Sequence, residues 1–197
     1  MIFKVSFYKN LFFIAVLLLF SIIINQYYAN IGVFPQDTFL HFDSGYRILK
    51  GEVPFKDYWT VTAPLVDYIQ ALFFYLFGPT WKSYVFHASL FNSFITLATY
   101  HLLINFKLNN IYSFIYALLF SVIAYPVSGT PFVDLHATFF SILGVYSLLL
   151  AINNNKKIYW ILMPIFLGLA FFSKQVPSVY VIIFIFFILV FYSFKNK

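Results

Sequence analysis

Apolar residues fill most of this chain, and the polar breaks between them divide it. From Leu11 to Tyr28 the run LFFIAVLLLFSIIINQYY is close to the roughly 20 helical residues that cross about 30 Å of hydrocarbon. Further runs fall at about Tyr84 to Ile104, Ile111 to Tyr125, Ala137 to Ile152, Ile158 to Phe172 and Pro177 to Phe194. The pattern predicts an all-α polytopic membrane bundle of about six transmembrane helices, one domain over residues 1–197. Its first span covers about 11–28, an outer loop with interfacial helices about 29–82, and the remaining spans about 84–194. Lys4 and Lys9 before an apolar core also fit a signal peptide. Tyr27-Tyr28-Ala29 offers no small-x-small cleavage site, however, so the first run reads as an uncleaved anchor. Ala63 to Phe77 (APLVDYIQALFFYLF) is apolar yet carries Asp67 and Gln70, and reads as a helix at the interface or re-entering it.

The outer loop has its own pattern. Asp37 to Lys50 predicts a short amphipathic helix with Phe39, Phe42, Tyr46 and Leu49 on one face, spaced by three and four residues. That face suits lipid headgroups. Asp37, His41 and Ser44 form an opposing polar stripe that would look into a cavity. Gly51 supplies a C-terminal stop and Pro54 prevents continuation. Thr62 offers an N-cap for the next helix, with Pro64 near its first turn.

Composition confirms a membrane protein. Hydrophobic residues make up 62% of the chain, against roughly 45–50% in a soluble domain, and the mean hydropathy is +0.87. Cysteine is absent, which excludes a disulfide framework and any thiolate metal site. A net charge of +6 in a soluble protein would suggest a nucleic-acid partner, but the distribution here points elsewhere. With a cytoplasmic N-terminus and alternating spans, Lys4, Lys9, Lys107, Lys156, Lys157, Lys195 and Lys197 fall inside with no acid. Arg47, Lys50, Lys56, Lys82 and Lys174 fall outside with all six acids: Asp37, Asp43, Glu52, Asp57, Asp67 and Asp134. This bias matches the rule that cationic residues gather in short cytoplasmic loops, and a full span at Ala63 to Phe77 would destroy it. The chain is expected to be a multi-pass protein of the bacterial inner (plasma) membrane, with no nucleic-acid partner. Its functional face is then extracytoplasmic, where no ATP or nucleotide-sugar pool is expected.

These residues resemble a family. An Asp after the first span, an amphipathic helix, a Gly with a nearby Pro, and APLVDYIQALFFYLFG before the second span look like the GT-C glycosyltransferases. Within these the resemblance is to the branch of protein O-mannosyltransferases and lipid A aminoarabinose or galacturonosyl transferases. VDLHATFFSILGVYSLL resembles that branch's second outer loop leading into a span, and GLAFFSKQVPSVY its GLAFLTKG-like stretch. The resemblance implies inverting transfer of a sugar from a polyprenyl-phosphate donor to a hydroxyl of a lipid, glycan or protein acceptor at the outer face. It also implies the N-terminal part of such an enzyme, because family members usually have more spans. Physically, an isoprenoid tail needs a lipid-facing groove, and its sugar phosphate needs a polar pocket at the membrane boundary.

The resemblance places Asp37 at the family's first acidic position, a general base toward the acceptor hydroxyl; capping the following helix is the other reading. Thr38 stands where many relatives have Glu, and Asp43 could substitute, although its i,i+4 spacing to Arg47 favours a surface ion pair. Asp134 matches the second acidic position, orienting the acceptor or assisting the base, with capping of a helix near Leu135 as the alternative. Lys174 is the outer cation best suited to the donor phosphate, since a leaving phosphate gains negative charge in the transition state; snorkelling to the interface explains the same lysine. Arg47 and Lys56 are weaker candidates for that role. Tyr58 and Trp59 suit sugar stacking, yet aromatic residues gather at membrane interfaces in any case. His41 and His136 could meet a phosphate or a metal, but two isolated histidines make no ligand motif and polar contacts are favoured for both. No cofactor is implied, and a divalent metal has no support in the sequence. Two other classes remain, a non-catalytic membrane subunit and a transporter fragment; a transport path needs ionisable groups near the bilayer midplane, and these spans keep their charges at the ends.

Overall fold

The computed structural model describes residues 2–33, 37–125 and 129–195. Lys197 lies outside the described residues, as do the side chains of Lys4, Lys9 and Lys195. Among the described residues there are eight helices and no strand: α1 (Ile2–Ile31), α2 (Leu40–Leu49), α3 (Leu65–Phe77), α4 (Trp81–Asn105), α5 (Asn110–Ala124), α6 (Val133–Asn154), α7 (Lys157–Ser173) and α8 (Gln175–Lys195). Each apolar run read as a span is a helix, and the protein is an all-α membrane bundle. By length and composition alone, Asn10–Ile31, Val133–Asn154 and Gln175–Phe194 can cross a bilayer. The apolar helices α5 and α7 are shorter, at 15 and 17 residues, and α4 is long enough but carries buried Ser, His, Asn and Thr.

Those polar residues hold the bundle together. Lipid offers no hydrophobic drive for one helix to leave it for another, so membrane helices associate through small residues, close packing and interhelical hydrogen bonds. At one end the Asn92 amide donates to Asn25 Oδ1 and to the Ser121 carbonyl, both at 2.9 Å, tying α4 to α1 and α5. At the other end the Tyr100 hydroxyl and the Asn110 amide both donate to Asn10 Oδ1, and the Asn154 amide donates to Asn105 Oδ1 at 2.9 Å. These contacts make α1 and α4 antiparallel and α4 and α6 parallel. Gly144 lets α7 press against α6, because a Cβ there would sit 2.7 Å from Leu167 Cδ2. The core between α4, α6 and α7 contains Ala88, Ile95, Phe139, Phe140, Leu143 and Ala170.

The charges separate along this axis. Lys107, Lys156 and Lys157 flank the α4–α5 and α6–α7 turns. The turn before α2, all of α2 and α3, and the α6 and α7 termini bearing Asp134 and Lys174 lie at the opposite end. There α2 packs along α3, with Gly45 so close that a Cβ would lie 2.8 Å from Gln70 Cγ. Phe42 meets the rings of Phe74 and Tyr84, and Phe39 meets Trp81. The apolar face of α2 is therefore shared between the protein and the surface, since Phe39 and Tyr46 remain exposed.

Two local expectations are corrected. The amphipathic helix begins at Leu40 rather than Asp37, which has a φ of 65°; a left-handed residue cannot continue a right-handed helix, and Asp is one of the few side chains that tolerates the conformation. Thr62 does not cap α3, because the N-cap position falls on Pro64, which has no side-chain acceptor. The Thr62 hydroxyl is buried without a hydrogen-bond partner.

Candidate active site

The acidic end is built from a buried pair outward. His41 on α2 and Asp67 on α3 approach to 2.6 Å between Nδ1 and Oδ1, each side chain 1% exposed. In this contact the His41 ring nitrogen donates to the Asp67 carboxylate. His41 Nε2 and Asp67 Oδ2 have no further partner. Removing one member of this buried hydrogen-bonded pair leaves the other without a partner in a poorly solvated site, at a cost of about 1–3 kcal/mol. Asp67→Ala is expected to lower the thermal unfolding midpoint in detergent by several degrees and to release α2; a midpoint equal to wild type would mean that the contact holds nothing. Tyr58 covers the same corner, its hydroxyl 3.5 Å from the Ser44 carbonyl. Burial, with a contribution from the Asp67 carboxylate, pushes the phenol up to about 12, so it is a neutral donor at physiological pH.

Behind this corner runs a second buried chain. Gln70 Oε1 lies 2.8 Å from His87 Nδ1, and His87 Nε2 lies 3.0 Å from His136 Nε2. His136 Nδ1 in turn faces the Phe132 carbonyl at 2.9 Å and the Tyr125 hydroxyl at 3.2 Å. One proton must occupy the contact between the two Nε2 atoms. Donation from His87 leaves His136 Nδ1–H for the Phe132 carbonyl and requires the Gln70 amide to turn its NH2 toward His87; the opposite order keeps the Gln70 carbonyl as acceptor and takes the Tyr125 hydroxyl as donor. Either way α3, α4 and α6 are fixed at one level.

The residues expected to act lie around that level. Asp37 sits on an exposed turn whose carbonyl accepts from the Leu40 N–H at 3.2 Å. The next residue, Thr38, accepts a 2.5 Å hydrogen bond at its carbonyl from Tyr84 in the first turn of α4. The α2 N-terminus carries no side-chain cap, so capping does not account for Asp37. Asp134 lies in the first turn of α6, two residues before His136, and the N-cap position there falls on Phe132. Its carboxylate accepts from the Lys174 ammonium at 2.6 Å, across the gap between the start of α6 and the end of α7. The pair is partly exposed, 43% for Asp134 and 33% for Lys174. Because His87 pairs with His136, and Tyr84 lies one turn before His87, Asp37 and Asp134 belong to the same end of the bundle.

Arg47 is held by Asp43 at 2.7 Å and Glu52 at 3.2 Å, with its guanidinium 5.6 Å from the Tyr58 ring centre. Hydrogen bonds to Asp43, then to Glu52, raise the already high pKa of the guanidinium. This is the expected i,i+4 pair, enlarged by one acid, and exposed pairs of this kind contribute little to stability. Trp59 is 81% exposed and touches Phe55 edge-on. Among the described residues no three His, Asp or Glu side chains converge as a metal site.

Residues 61–197 match the family of dolichyl-phosphate-mannose-protein mannosyltransferases, over more than half of the chain. The chain belongs to this family. It is a membrane glycosyltransferase of the GT-C type, a class that takes sugar from polyprenyl-phosphate donors. No curated protein and no solved structure matches it. The matched range contains Asp67, Asp134 and Lys174 but not α2 or Asp37.

At the acidic end of this glycosyltransferase Lys174 contacts Asp134, Arg47 contacts Asp43 and lies over Tyr58, and His41 contacts Asp67. Sequence reasoning gave no role to Asp67, Gln70 or His87. The signal was present in part, because a carboxylate and an amide three residues apart in an apolar helix share one face, and ionisable residues in membrane helices turn inward.

Proposed function

We propose that this glycosyltransferase moves a sugar from a polyprenyl-phosphate donor to an acceptor hydroxyl at the extracytoplasmic face, with inversion, and that Asp37 is the general base. The Asp37 carboxylate takes the acceptor proton as the acceptor oxygen attacks the anomeric carbon from the side opposite the phosphate. The bond from that carbon to the phosphate oxygen breaks, and its electron pair leaves with the phosphate. Lys174 binds the phosphate. Of its three N–H donors one is engaged by Asp134, so two remain for phosphate oxygens, and Asp134 acts by holding the ammonium in place. Tyr58 and Trp59 offer ring faces to a sugar at the rim, and Arg47 lies beside Tyr58. His41 has its Nδ1 engaged by Asp67 and contributes to this role by placing α2.

The observation that carries this reading is the Asp134–Lys174 contact at 2.6 Å, at the same end as the Asp37 turn. The clustering of the acids at that end, away from Lys107, Lys156 and Lys157, supports its extracytoplasmic placement. The test is transfer in proteoliposomes from a synthetic α- or β-configured polyprenyl-phosphate sugar to a panel of hydroxyl acceptors, with the product anomer assigned by NMR. Inversion predicts a β product from an α donor and the reverse; a product that keeps the donor configuration would remove the single-displacement mechanism and the role of Asp37 within it.

A further inference from the structure

At the lysine-bearing end, opposite the candidate active site, a groove of about 330 Å³ lies between α1 and α4, lined by Asn10 and Ile14 from α1 and Leu97, Tyr100, His101 and Ile104 from α4. The α4 residues recur at spacings of three and four, so one face of the helix forms this wall. Asn10 opens the apolar stretch Asn10–Ile31, which places it where the hydrocarbon begins. Its Oδ1 accepts from the Asn110 amide at 2.7 Å and from the Tyr100 hydroxyl at 3.4 Å, so the remaining capacity of the side chain is its NH2, a donor. Ile14 lies one turn deeper and is 40% exposed. His101 carries the wall on to α7, with its Nε2 3.0 Å from the Tyr159 hydroxyl. The turn between α6 and α7 is pinned to the same end of α4, because the Asn154 amide donates to Asn105 Oδ1 at 2.9 Å and the Asn153 amide to the Asn105 carbonyl at 3.3 Å. That turn leads into Lys156, which is exposed and close enough for its charge to act on His101.

We propose that this groove binds one anionic phospholipid of the leaflet at the lysine-bearing end, its headgroup held between Asn10 and Lys156 and an acyl chain lying against Ile14 and Leu97. The site is independent of the sugar-transfer reading, which concerns the other end of the bundle. Charge complementarity selects the headgroup. Lys107, Lys156 and Lys157 flank the two turns at this end, and all six carboxylates of the chain lie at the other. A choline or ethanolamine headgroup carries a cation that here meets lysines and no acid, whereas a phosphodiester without a cation of its own meets amide donors and ammonium groups alone. Basic pockets between membrane helices are a recurring form of such headgroup sites. The apolar wall adds no drive of its own, since lipid tails are as apolar as Ile14 and Leu97. It fixes where the chain runs, and the polar rim decides which lipid is held.

The test uses the full chain in phosphatidylcholine nanodiscs containing a small fraction of phosphatidylglycerol that bears a diazirine near the top of one acyl chain. After irradiation, labelled peptides are expected from Asn10 to Ile14 and from Leu97 to Ile104. Unlabelled phosphatidylglycerol should suppress the labelling, and the same fraction of phosphatidylethanolamine, or inorganic phosphate in the buffer, should not. Lys156→Gln is expected to weaken probe binding about fivefold, the equivalent of about 1 kcal/mol, which is the worth of one lysine near an anionic surface. Ile14→Trp, at an exposed position, fills the groove and should reduce labelling of α4 by a similar factor. Lys82→Gln makes the same charge change in the first turn of α4, at the opposite end, and should label as wild type does. Labelling that is absent or confined to other helices, equal suppression by phosphatidylethanolamine or inorganic phosphate, and a loss in Lys82→Gln equal to that in Lys156→Gln would each overturn the proposal. So would unchanged labelling in Lys156→Gln or in Ile14→Trp.

Discussion

Asp37→Asn is expected to lower kcat for sugar transfer by about 10²–10⁴-fold, the usual worth of a positioned general base, with normal membrane insertion and little change in donor KM. The substitution is informative because of where Asp37 sits. Its φ of 65° lies in the left-handed region, which Asn tolerates as well as Asp, so the turn into α2 keeps its shape. The side chain is exposed and caps no helix, so no buried partner is stranded. What changes is the basic oxygen alone. The neighbouring anchor, Tyr84 to the Thr38 carbonyl, involves only backbone on the loop side and survives the exchange. Transfer indistinguishable from wild type would remove Asp37 as base; loss of transfer together with loss of α2 packing, seen as increased proteolysis between Leu49 and Leu65, would make its role structural.

How much of this was legible in the sequence depends on the range of the interaction. The helices α1 and α4–α8 follow from run length and apolarity, because a chain in lipid must satisfy its own backbone and a helix does so locally. The end of α2 was equally local, as Gly51 with a φ of 93° stops it where the sequence indicated. The start of α2 was not, because spacing alone cannot reveal that Asp37 leaves helical space. Contacts between distant segments were the least legible. His41 and Asp67 are 26 residues apart, and Asp134 and Lys174 are 40 apart, so their pairing depends on how α2 lies on α3 and α6 on α7. Small residues such as Gly45 and Gly144 set those approaches, and nothing in their local sequence says which helix they will meet. The charge separation supplied the one long-range inference that composition allowed, namely that the acids share an end.

Lys174→Ala is expected to reduce kcat/KM for the polyprenyl-phosphate donor by about 10²–10³-fold, the loss typical of removing one preorganised group that stabilises developing charge. The contrary reading, a lysine snorkelling to the interface, predicts no effect on transfer. Stability separates the two from simple unfolding. Both members of the pair are partly exposed, so the ion pair itself contributes at most about 1 kcal/mol, and the variant should keep its unfolding midpoint. The link to Asp134 makes the prediction sharper. If Asp134 acts by holding Lys174, Asp134→Asn should lower kcat/KM by a smaller factor than Lys174→Ala, and the double variant should be no slower than Lys174→Ala alone, since residues acting through one another are not additive. Multiplied losses in the double variant would mean that Asp134 touches substrate independently. Lys174→Arg is expected to recover only part of the activity, because a planar guanidinium presents its donors in a fixed fork where the ammonium is a compact charge with rotatable donors. Full activity in Lys174→Ala would leave the donor phosphate without a cation on this side of the site and would shift that role to Arg47, whose guanidinium is already engaged by Asp43 and Glu52.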